Sequence, residues 1–489
     1  MMIWEELHIG MEFIFSHLIF INFILAVIII FFQRREPQSV WTWLLLLYFI
    51  PILGFIFYLF LGTDMHKKKM FRIKEIEDNL NEAIRKQEYW LQNKRWGNKS
   101  TEIEEYSDLV MYNLGASGAM LTDDNDITIF TDGVEKFDAL IADMEQAEKY
   151  IHVQYYIIKN DVLFRKIKDV LVKKAAAGVE VRILYDGMGG RSVKKSCWKE
   201  LNRQGIKTSE FFPALLRRLH LRINYRNHRK IVVIDGKVGY VGGFNIGKEY
   251  IGMDDRFGYW RDTHLRIAGS AVASLGLRFA LDWNYASKEN LFLTDKYMWH
   301  EASESGRHCE VQIVSSGPDS RRCNVRDNYL RMIGKAKKCI YIQTPYFIPD
   351  EAILSALMIA VHSGIEVNVM IPCKPDHPFV YWATYSYIGD LVMEGANCYT
   401  YNNGFLHAKG MVVDDKVLCY GTANMDIRSF ALNFEVNAVI YNEEMARKMR
   451  EIFEEDLKVS RQITKNVYMG RSLLIRFKEQ VCRLLSPLL

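Results

Sequence analysis

The chain begins with two long apolar stretches. Residues 13–32 are interrupted by only three polar residues, and residues 40–61 contain no charged residue. A helix of about 20 apolar residues can cross a bilayer. A cleaved signal peptide is the alternative for the first stretch, but Glu5 and Glu6 precede it and no small-residue cleavage site follows. The pattern therefore predicts two transmembrane helices, which form a hairpin within residues 1–65.

The charges beside these stretches predict the orientation of the hairpin. The connecting loop holds Arg34 and Arg35, whereas the segment after the second stretch holds five basic residues: Lys67, Lys68, Lys69, Arg72 and Lys74. Positive charge collects on the cytoplasmic side of a membrane. We therefore expect a multi-pass protein of the cell membrane with the bulk of the chain, residues 66–489, on the cytoplasmic side. The polar residues 66–122 are predicted to form a charged helical connector.

The remainder of the chain repeats one pattern of apolar and polar segments. AEKYIHVQYYIIKND, GVEVRILYDG and HRKIVVIDGKVGYVGGFN in the first half are matched in order by AKKCIYIQTPYFIPDE, GIEVNVMIPCK and HAKGMVVDDKVLCYGTAN. Apolar strands such as VEVRILY alternate with helical segments such as LFRKIKDVLVKKAAAG. This alternation predicts an α/β fold in which the strands are buried on both faces.

The two halves are assigned to residues 123–298 and 299–457. Their boundary is placed in the polar stretch MWHEASESGR, which lacks periodic apolar residues. Residues 458–489 follow, and RSLLIRFKEQVCRLLSPLL places apolar side chains at helical spacing among basic ones. It is typical of an amphipathic basic helix that lies on a membrane, and a helix docked on the domain is the alternative.

One motif occurs in both halves with identical spacing. His228, Lys230 and Asp235 stand at positions one, three and eight of HRKIVVID, and the same places in HAKGMVVD are taken by His407, Lys409 and Asp414. Side chains two residues apart on a strand share a face, so each His and Lys can point toward one phosphate. Each Asp falls at the following turn with the opposite parity, which favours a turn-stabilising or supporting role.

The correspondence extends beyond the motif. Asn245 and Asn424 follow each Asp by ten residues, and Asp262 and Glu435 stand at matching points of a later strand. Each half therefore offers a His, a Lys, an Asn and a carboxylate. A single HxKxxxxD match is weak support for a site, but two matches at equivalent points of a repeat are strong.

The composition limits which ligands and binding partners the chain is expected to have. The 63 Lys and Arg residues nearly balance the 59 Asp and Glu residues, and this net charge of +4 argues against a nucleic-acid-binding protein. The eight cysteines are scattered without a C-x-x-C pair, so neither a disulfide framework nor a zinc site is indicated. One basic cluster precedes the first motif and could meet anionic head groups; it comprises Arg217, Arg218, Arg222, Arg226 and Arg229.

Displacement at a phosphodiester requires a nucleophile, a proton donor for the leaving alkoxide and positive charge or amide donors for the phosphoryl oxygens. Two imidazoles and two ammonium groups meet these needs, since one His can be neutral while the other is protonated. No cofactor and no metal are predicted.

The paired motifs resemble those of the phospholipase D superfamily over residues 123–457, and within it the bacterial cardiolipin synthases. Further likeness lies in QRREP with WTWLLLLYFIPILG, in NHRKIVVIDGKVGYVGGFNIGKEY with GYWRDTHLRI, and in IQTPYFIPDE with KPDHPFVYWAT. The resemblance implies two pseudo-symmetric halves with mixed β-sheets flanked by helices. It also implies phosphatidylglycerol as the substrate and cardiolipin and glycerol as the products.

The resemblance further implies a phosphatidyl-histidine intermediate. His228 is our choice for the nucleophile and His407 for the acid and base, although the near symmetry of the halves leaves the assignment open. Both lysines and both asparagines are expected to hold phosphoryl oxygens, and Asp262 and Glu435 are each expected to orient the His of their own half.

Two alternatives remain at this point. One is a phospholipase D-type phosphodiesterase that hydrolyses phospholipids or, with less support, nucleic acid. The other is a membrane adaptor in which the paired motifs only bind lipid, and the intact His and Lys of both halves argue against it. The sequence assigns no oligomeric state.

Overall fold

A computed structural model describes residues 17–31, 37–61, 74–93, 101–212, 225–291, 297, 308–320 and 322–486. The predicted half boundary at residues 298–307 lies outside these ranges. So do the basic residues 67–72 and most of the basic cluster that precedes the first motif.

The N-terminal apolar residues form three helices. α1 covers residues 17–31, and the second apolar stretch is divided into α2 (Pro37–Phe49) and α3 (Pro51–Leu61). Pro51 has no N–H, so the carbonyl of Leu47 lacks its usual helical partner. The Asn22 side chain donates to this carbonyl at 3.2 Å and to that of Pro51 at 3.0 Å.

The prediction of two transmembrane helices is wrong. Within the described ranges, no helix combines the length and the apolar character needed to cross a membrane. The break at Ile50 leaves α2 and α3 with 13 and 11 residues, each short of the about 20 that a span requires. The expected multi-pass location and cytoplasmic side depended on these spans and lose their basis.

Three helices precede the repeat: α4 (Lys74–Gln92), α5 (Thr101–Glu105) and α6 (Ser107–Ser117). α6, which lies within the predicted connector, packs against the elements that follow it. Its Asn113 side chain donates to Asn328 at 2.9 Å, and Leu109, Val110 and Leu114 are fully buried in the core of the second half. Residues 107–117 thus belong to the catalytic body.

The first half alternates strands and helices as predicted. Its elements are β1 (Leu121–Phe130), α7 (Gly133–Gln146), β2 (Tyr150–Tyr155), α8 (Val162–Ala176), β3 (Glu180–Asp186), α9 (Lys195–Arg203), β4 (Lys207–Phe211), β5 (Arg226–Asn227), β6 (Ile231–Ile234), β7 (Val238–Gly242), a 3-10 turn (Lys248–Ile251), β8 (Trp260–Arg261), β9 (His264–Ala268) and α10 (Ala271–Ser287).

The second half repeats this order. Its elements are β10 (Cys309–Ser316), α11 (Asn324–Lys335), β11 (Cys339–Gln343), β12 (Phe347–Ile348), α12 (Glu351–His362), β13 (Glu366–Pro372), α13 (Pro378–Glu394), β14 (Asn397–Tyr401), β15 (Phe405–Leu406), β16 (Gly410–Val413), β17 (Val417–Gly421), β18 (Met425–Asp426), α14 (Ile427–Ala431), β19 (Asn433–Tyr441) and α15 (Glu443–Leu457). The chain then adds β20 (Ser460–Gln462), α16 (Lys465–Met469) and α17 (Leu473–Leu484).

The repeat is visible in the strand order. The first half runs β1-β9-β7-β6-β2-β3-β4, and the second half runs β10-β19-β17-β16-β11-β13-β14 with β20 at its edge. Each half mixes parallel pairs, such as β2 with β3, and antiparallel pairs, such as β6 with β7. The halves join where β1 pairs antiparallel with β10, with Leu121 opposite Gln312. Helices cover the sheets because the strand side chains are apolar on both faces.

Candidate active site

Short strands cross between the halves at the two motifs. β5, which precedes His228, pairs in parallel with β19 of the second half, and His228 donates its backbone N–H to the carbonyl of Phe434 at 3.0 Å. β15, which precedes His407, pairs with β8 of the first half, and His407 donates to the carbonyl of Arg261 at 2.7 Å. Each His is therefore held against the other half beside a carboxylate, Glu435 within β19 or Asp262 directly after β8.

This pairing of β5 and β15 with strands of the other half, called the exchange below, determines which carboxylate contacts each imidazole. His228 Nδ1 lies 3.0 and 3.1 Å from the two carboxylate oxygens of Glu435, and His407 Nδ1 lies 2.6 Å from Asp262 Oδ2. The expectation that each carboxylate orients the His of its own half is wrong. A proton on Nδ1 that is donated to the carboxylate leaves the lone pair of Nε2 available for chemistry.

Both motif lysines are buried beside their histidines. Lys230 Nζ donates to the carbonyl of His228 at 2.6 Å, and Lys409 Nζ donates to the carbonyl of His407. Burial lowers the pKa of Lys230 to about 7 and that of Lys409 to about 8. Lys409 also lowers the pKa of Lys230 and of His228, and Lys230 lowers that of His407, so the two ammonium groups share one electrostatic environment. An anionic phosphodiester would favour their charged forms.

The two histidines differ in their surroundings. The pKa of His407 is lowered to about 4, first by burial and then by Lys409, whose Nζ lies 2.7 Å from Nδ1, while Asp262 opposes the shift. Burial also lowers the pKa of His228, but Glu435 is the strongest opposing influence there. Both imidazoles are therefore biased toward the neutral form before a substrate arrives.

The orienting carboxylates are held by different groups. Thr422 Oγ1 donates to Glu435 Oε2 at 2.5 Å, whereas the matching residue Gly243 leaves room for Asp262, since a Cβ there would lie 1.9 Å from its Oδ1. The pKa of Asp262 is lowered although burial alone would raise it, because Lys409 and His407 are close. Glu435 is likewise shifted toward the ionised form by His228 despite its burial, so its pKa is low.

The predicted asparagines lie beside these groups. Asn245 is committed to local contacts: it donates to the Tyr250 hydroxyl at 3.0 Å and accepts from the Ile157 N–H at 3.1 Å. Asn424 is 5% exposed, and its Oδ1 has no hydrogen-bond partner within the described part of the chain. The open atom of Asn424 is thus an acceptor, which suits a ligand hydroxyl, whereas its N–H side hydrogen-bonds to Asp426.

Two buried Arg–Asp pairs stabilise the places where β5 and β15 pair with strands of the other half. The sequence analysis did not identify these pairs. Arg229 donates to both oxygens of Asp282 at 2.6 and 2.8 Å and to the Glu435 carbonyl at 3.2 Å. Arg261 donates to Asp456 at 3.1 Å and also to the Asp262 carbonyl. A buried charge requires a partner, so these pairs fix the strands that carry the carboxylates.

The expected head-group contact is wrong for Arg226 and Arg229, which are 3% and 1% exposed. One sequence feature pointed to these Arg–Asp pairs: each half has a glutamine at the same position of the repeat, and this glutamine hydrogen-bonds to the Asp of the pair. Gln154 donates to Asp282 at 2.6 Å, and Gln343 donates to Asp456 at 2.7 Å.

The motif aspartates do not join the imidazoles. Asp235 lies at the far end of β6, about 20 Å along the chain from His228. It accepts the backbone N–H groups of Glu148, Lys149 and Tyr150 at 2.7 to 2.8 Å. Asp414 accepts the equivalent groups of the second half, those of Lys337, Lys338 and Cys339, at 2.7 to 3.0 Å. Both carboxylates thus fasten the turn before a central strand.

We expect Asp235→Asn to lower the free energy of unfolding by about 1–3 kcal/mol, because one charged acceptor serves three N–H donors. Turnover per folded molecule should stay close to that of the parent. Asp415→Asn is a matched control, since Asp235 and Asp415 share a positive φ and Asp415 only pairs with Arg450 near the surface. Denaturant unfolding and activity measurements check both, and lost turnover at full stability would instead make Asp235 catalytic.

Comparison with known proteins gives a family for this arrangement. The family model described as "Cardiolipin synthase, PLD-like domain" matches residues 140–256 and 329–457, and the model described as "Phospholipase_D-nuclease N-terminal" matches residues 20–62. The major cardiolipin synthase of Bacillus subtilis is 49% identical over 96% of this chain and 97% of its own length. A cardiolipin synthase of Staphylococcus aureus is 49% identical over 97% and 96%.

A solved structure supports the fold. The phosphatidylserine synthase of Haemophilus influenzae superimposes with a TM-score of 0.59 over 78% of this chain and 97% of its own, at 15% sequence identity. The two near-full-length relatives and the family model establish more than the fold. This chain belongs to the cardiolipin synthases of the phospholipase D superfamily, and it is a phosphatidyltransferase.

Proposed function

We propose that this cardiolipin synthase transfers the phosphatidyl group of one phosphatidylglycerol to a second, with His228 as the nucleophile. The observation that carries the assignment is the contact of His228 Nδ1 with both oxygens of Glu435, which favours the tautomer whose Nε2 lone pair is free. His407 Nδ1 has both Asp262 and the Lys409 ammonium as neighbours, so its tautomer is less firmly set.

In the first step, Nε2 of His228 bonds to phosphorus and the bond from phosphorus to the glycerol oxygen breaks. His407 gives its proton to the departing oxygen. In the second step, His407 takes the proton of a hydroxyl on the second phosphatidylglycerol, the resulting alkoxide bonds to phosphorus, and the bond to His228 breaks. Cardiolipin and glycerol are the products, and each His returns to its starting state.

The phosphoryl oxygens are assigned to Lys230 and Lys409, and Asn424 and Asn245 would assist through their amide N–H groups. A phosphodiester carries one negative charge, which raises the pKa of nearby amines and of an imidazole that must act as an acid. Substrate binding would therefore charge both lysines and protonate His407. The two ammonium groups supply the positive charge that the transition state needs, and the route uses no cofactor.

The second candidate is hydrolysis, because water in place of the second lipid would release phosphatidic acid through the same first step. The cardiolipin synthases to which the chain is similar favour transfer, and the mild net charge gives no support for nucleic acid as a substrate.

Incubation of the purified full chain with phosphatidylglycerol alone tests the proposal. We expect cardiolipin and free glycerol in equal amounts, because each transfer releases one glycerol. Lipid mass spectrometry and a glycerol assay measure both products. Phosphatidic acid as the main product would replace the transferase with a hydrolase, and His228→Ala protein is the control for contaminating activity.

A further inference from the structure

The last helix, α17, presents its apolar side chains to the outside. Five of them are exposed by 38% to 81%, and they lie on one face: Leu473, Leu474, Phe477, Val481 and Leu484. The opposite face is buried and contains Glu479, with no exposure, and Cys482. A helix docked on a domain normally buries its apolar face, so the arrangement of α17 is reversed.

Polar contacts on the docked side fix this rotation. The Glu479 carboxylate pairs with Arg471 at 2.8 Å, and Arg483 pairs with Asp390 of α13 at 2.6 Å. Cys482 packs against Ile348 and Ala383. Turning α17 to bury its leucines would break both ion pairs and expose Glu479. The apolar face therefore points outward because the fold holds it there.

The charge around the exposed face is basic. Lys478 of α17 is exposed and Arg476 is half-buried, whereas Arg483 is neutralised by Asp390 on the docked side; the one carboxylate of the helix is the buried Glu479. The Lys478 ammonium lies 5.5 Å from the ring of Trp382. Large apolar side chains flanked by cations match the boundary between acyl chains and anionic head groups.

The helix on which α17 packs begins close to the active site. α17 packs on α13, whose first residue, Pro378, follows Asp376 by two positions. The Asp376 carboxylate accepts from the Tyr346 hydroxyl and is close enough to raise the pKa of Lys409 against the effect of burial. A surface bound to α17 would thus be held beside α13, the helix that begins two residues after Asp376, a carboxylate near Lys409 of the active site.

We propose that the exposed face of α17 is a docking surface for an anionic phospholipid bilayer. Its five apolar side chains enter the interface, and Arg476 and Lys478 meet the head groups. The proposal concerns how the enzyme meets its lipid surface, and it does not depend on which His is the nucleophile.

Hydrogen exchange of the full chain in nanodiscs tests the surface directly. The amides of residues 473–484 should exchange more slowly in nanodiscs that contain phosphatidylglycerol than in nanodiscs of phosphatidylcholine alone. The α12 peptide that contains Ile359, an apolar residue that is 66% exposed, should not change. Equal exchange of α17 in both lipids would overturn the proposal, and so would slowing that depends on protein concentration without lipid, which would assign the face to a second copy of the chain.

An enzyme assay on vesicles provides a second test of the α17 surface. Leu474→Glu with Phe477→Glu should raise the concentration of vesicle phosphatidylglycerol needed for half-maximal rate by at least about tenfold, because two apolar side chains no longer enter the interface. Val134→Glu with Ile359→Glu adds the same charge at exposed apolar positions elsewhere and should have no such effect. Both variants should act equally on short-chain phosphatidylglycerol dissolved as monomers. Equal values on vesicles would refute the docking surface, whereas inactivity of the parent would refute the transfer reaction and leave the exchange result to decide on α17.

Discussion

His407→Ala protein is expected to release a burst of phenol from a phosphatidyl ester of an acidic phenol, whereas His228→Ala protein is expected to release none. An acidic phenol departs without a proton, so the first step then needs only the nucleophile. On phosphatidylglycerol itself both variants should lose about 10⁴-fold or more in turnover, because the full cycle needs both imidazoles.

The adduct identifies the nucleophile. After quenching at neutral or alkaline pH, where a phosphoramidate is most stable, mass spectrometry of the His407→Ala protein should find the phosphatidyl group on His228. An adduct on His407 in the His228→Ala protein would reverse the assignment. If neither protein carries an adduct, the second lipid displaces glycerol directly.

The exchanged partners of the imidazoles lead to the second large effect. Glu435→Gln should slow the phenol burst by about 10²–10³-fold, because an amide N–H directed at His228 Nδ1 would place the imidazole proton on Nε2 and block attack. Asp262→Asn should leave the burst in place and slow only turnover on phosphatidylglycerol, since Asp262 contacts the other His.

If each carboxylate served its own half, the two results would be interchanged. Asp143→Asn is a suitable control, because it removes a carboxylate that pairs with Arg266 at 2.7 Å and touches neither imidazole. Stopped-flow detection of the phenol and steady-state lipid assays separate the two steps.

Much of the fold could be predicted because strands buried on both faces leave continuous apolar runs. VEVRILY and IEVNVMI lie in β3 and β13, which occupy equivalent places in the two sheets. The transmembrane prediction was wrong because a count of apolar residues does not show where a helix ends. Pro51 was the available signal, since a residue without an N–H interrupts a run that otherwise lacks charge.

The site was predictable in its composition and not in its pairing. The spacing of the motif predicted that His228 lies beside Lys230 and His407 beside Lys409, and the structure brings each pair together. The expected strand is not the reason, because residues 228–230 lie between β5 and β6 and residues 407–409 between β15 and β16. The exchange of β5 and β15 brings together residues 207 and 145 positions apart, and no local pattern specifies which half a two-residue strand will join. Arg229 appeared to be a surface cation because its partner Asp282 lies on a distant helix.

The exchanged strands also explain why one chain holds both halves. A half on its own would lack the carboxylate for its imidazole, so single halves could complete a site only as two associated copies. In such a symmetric pair the two imidazoles would have identical neighbours until a substrate bound. When both halves belong to one polypeptide, the residues around one imidazole can differ from those around the other. Glu435 with Thr422 faces one imidazole, and Asp262 with Gly243 faces the other. Linkage into one polypeptide thus lets the two imidazoles have different surroundings before any substrate binds.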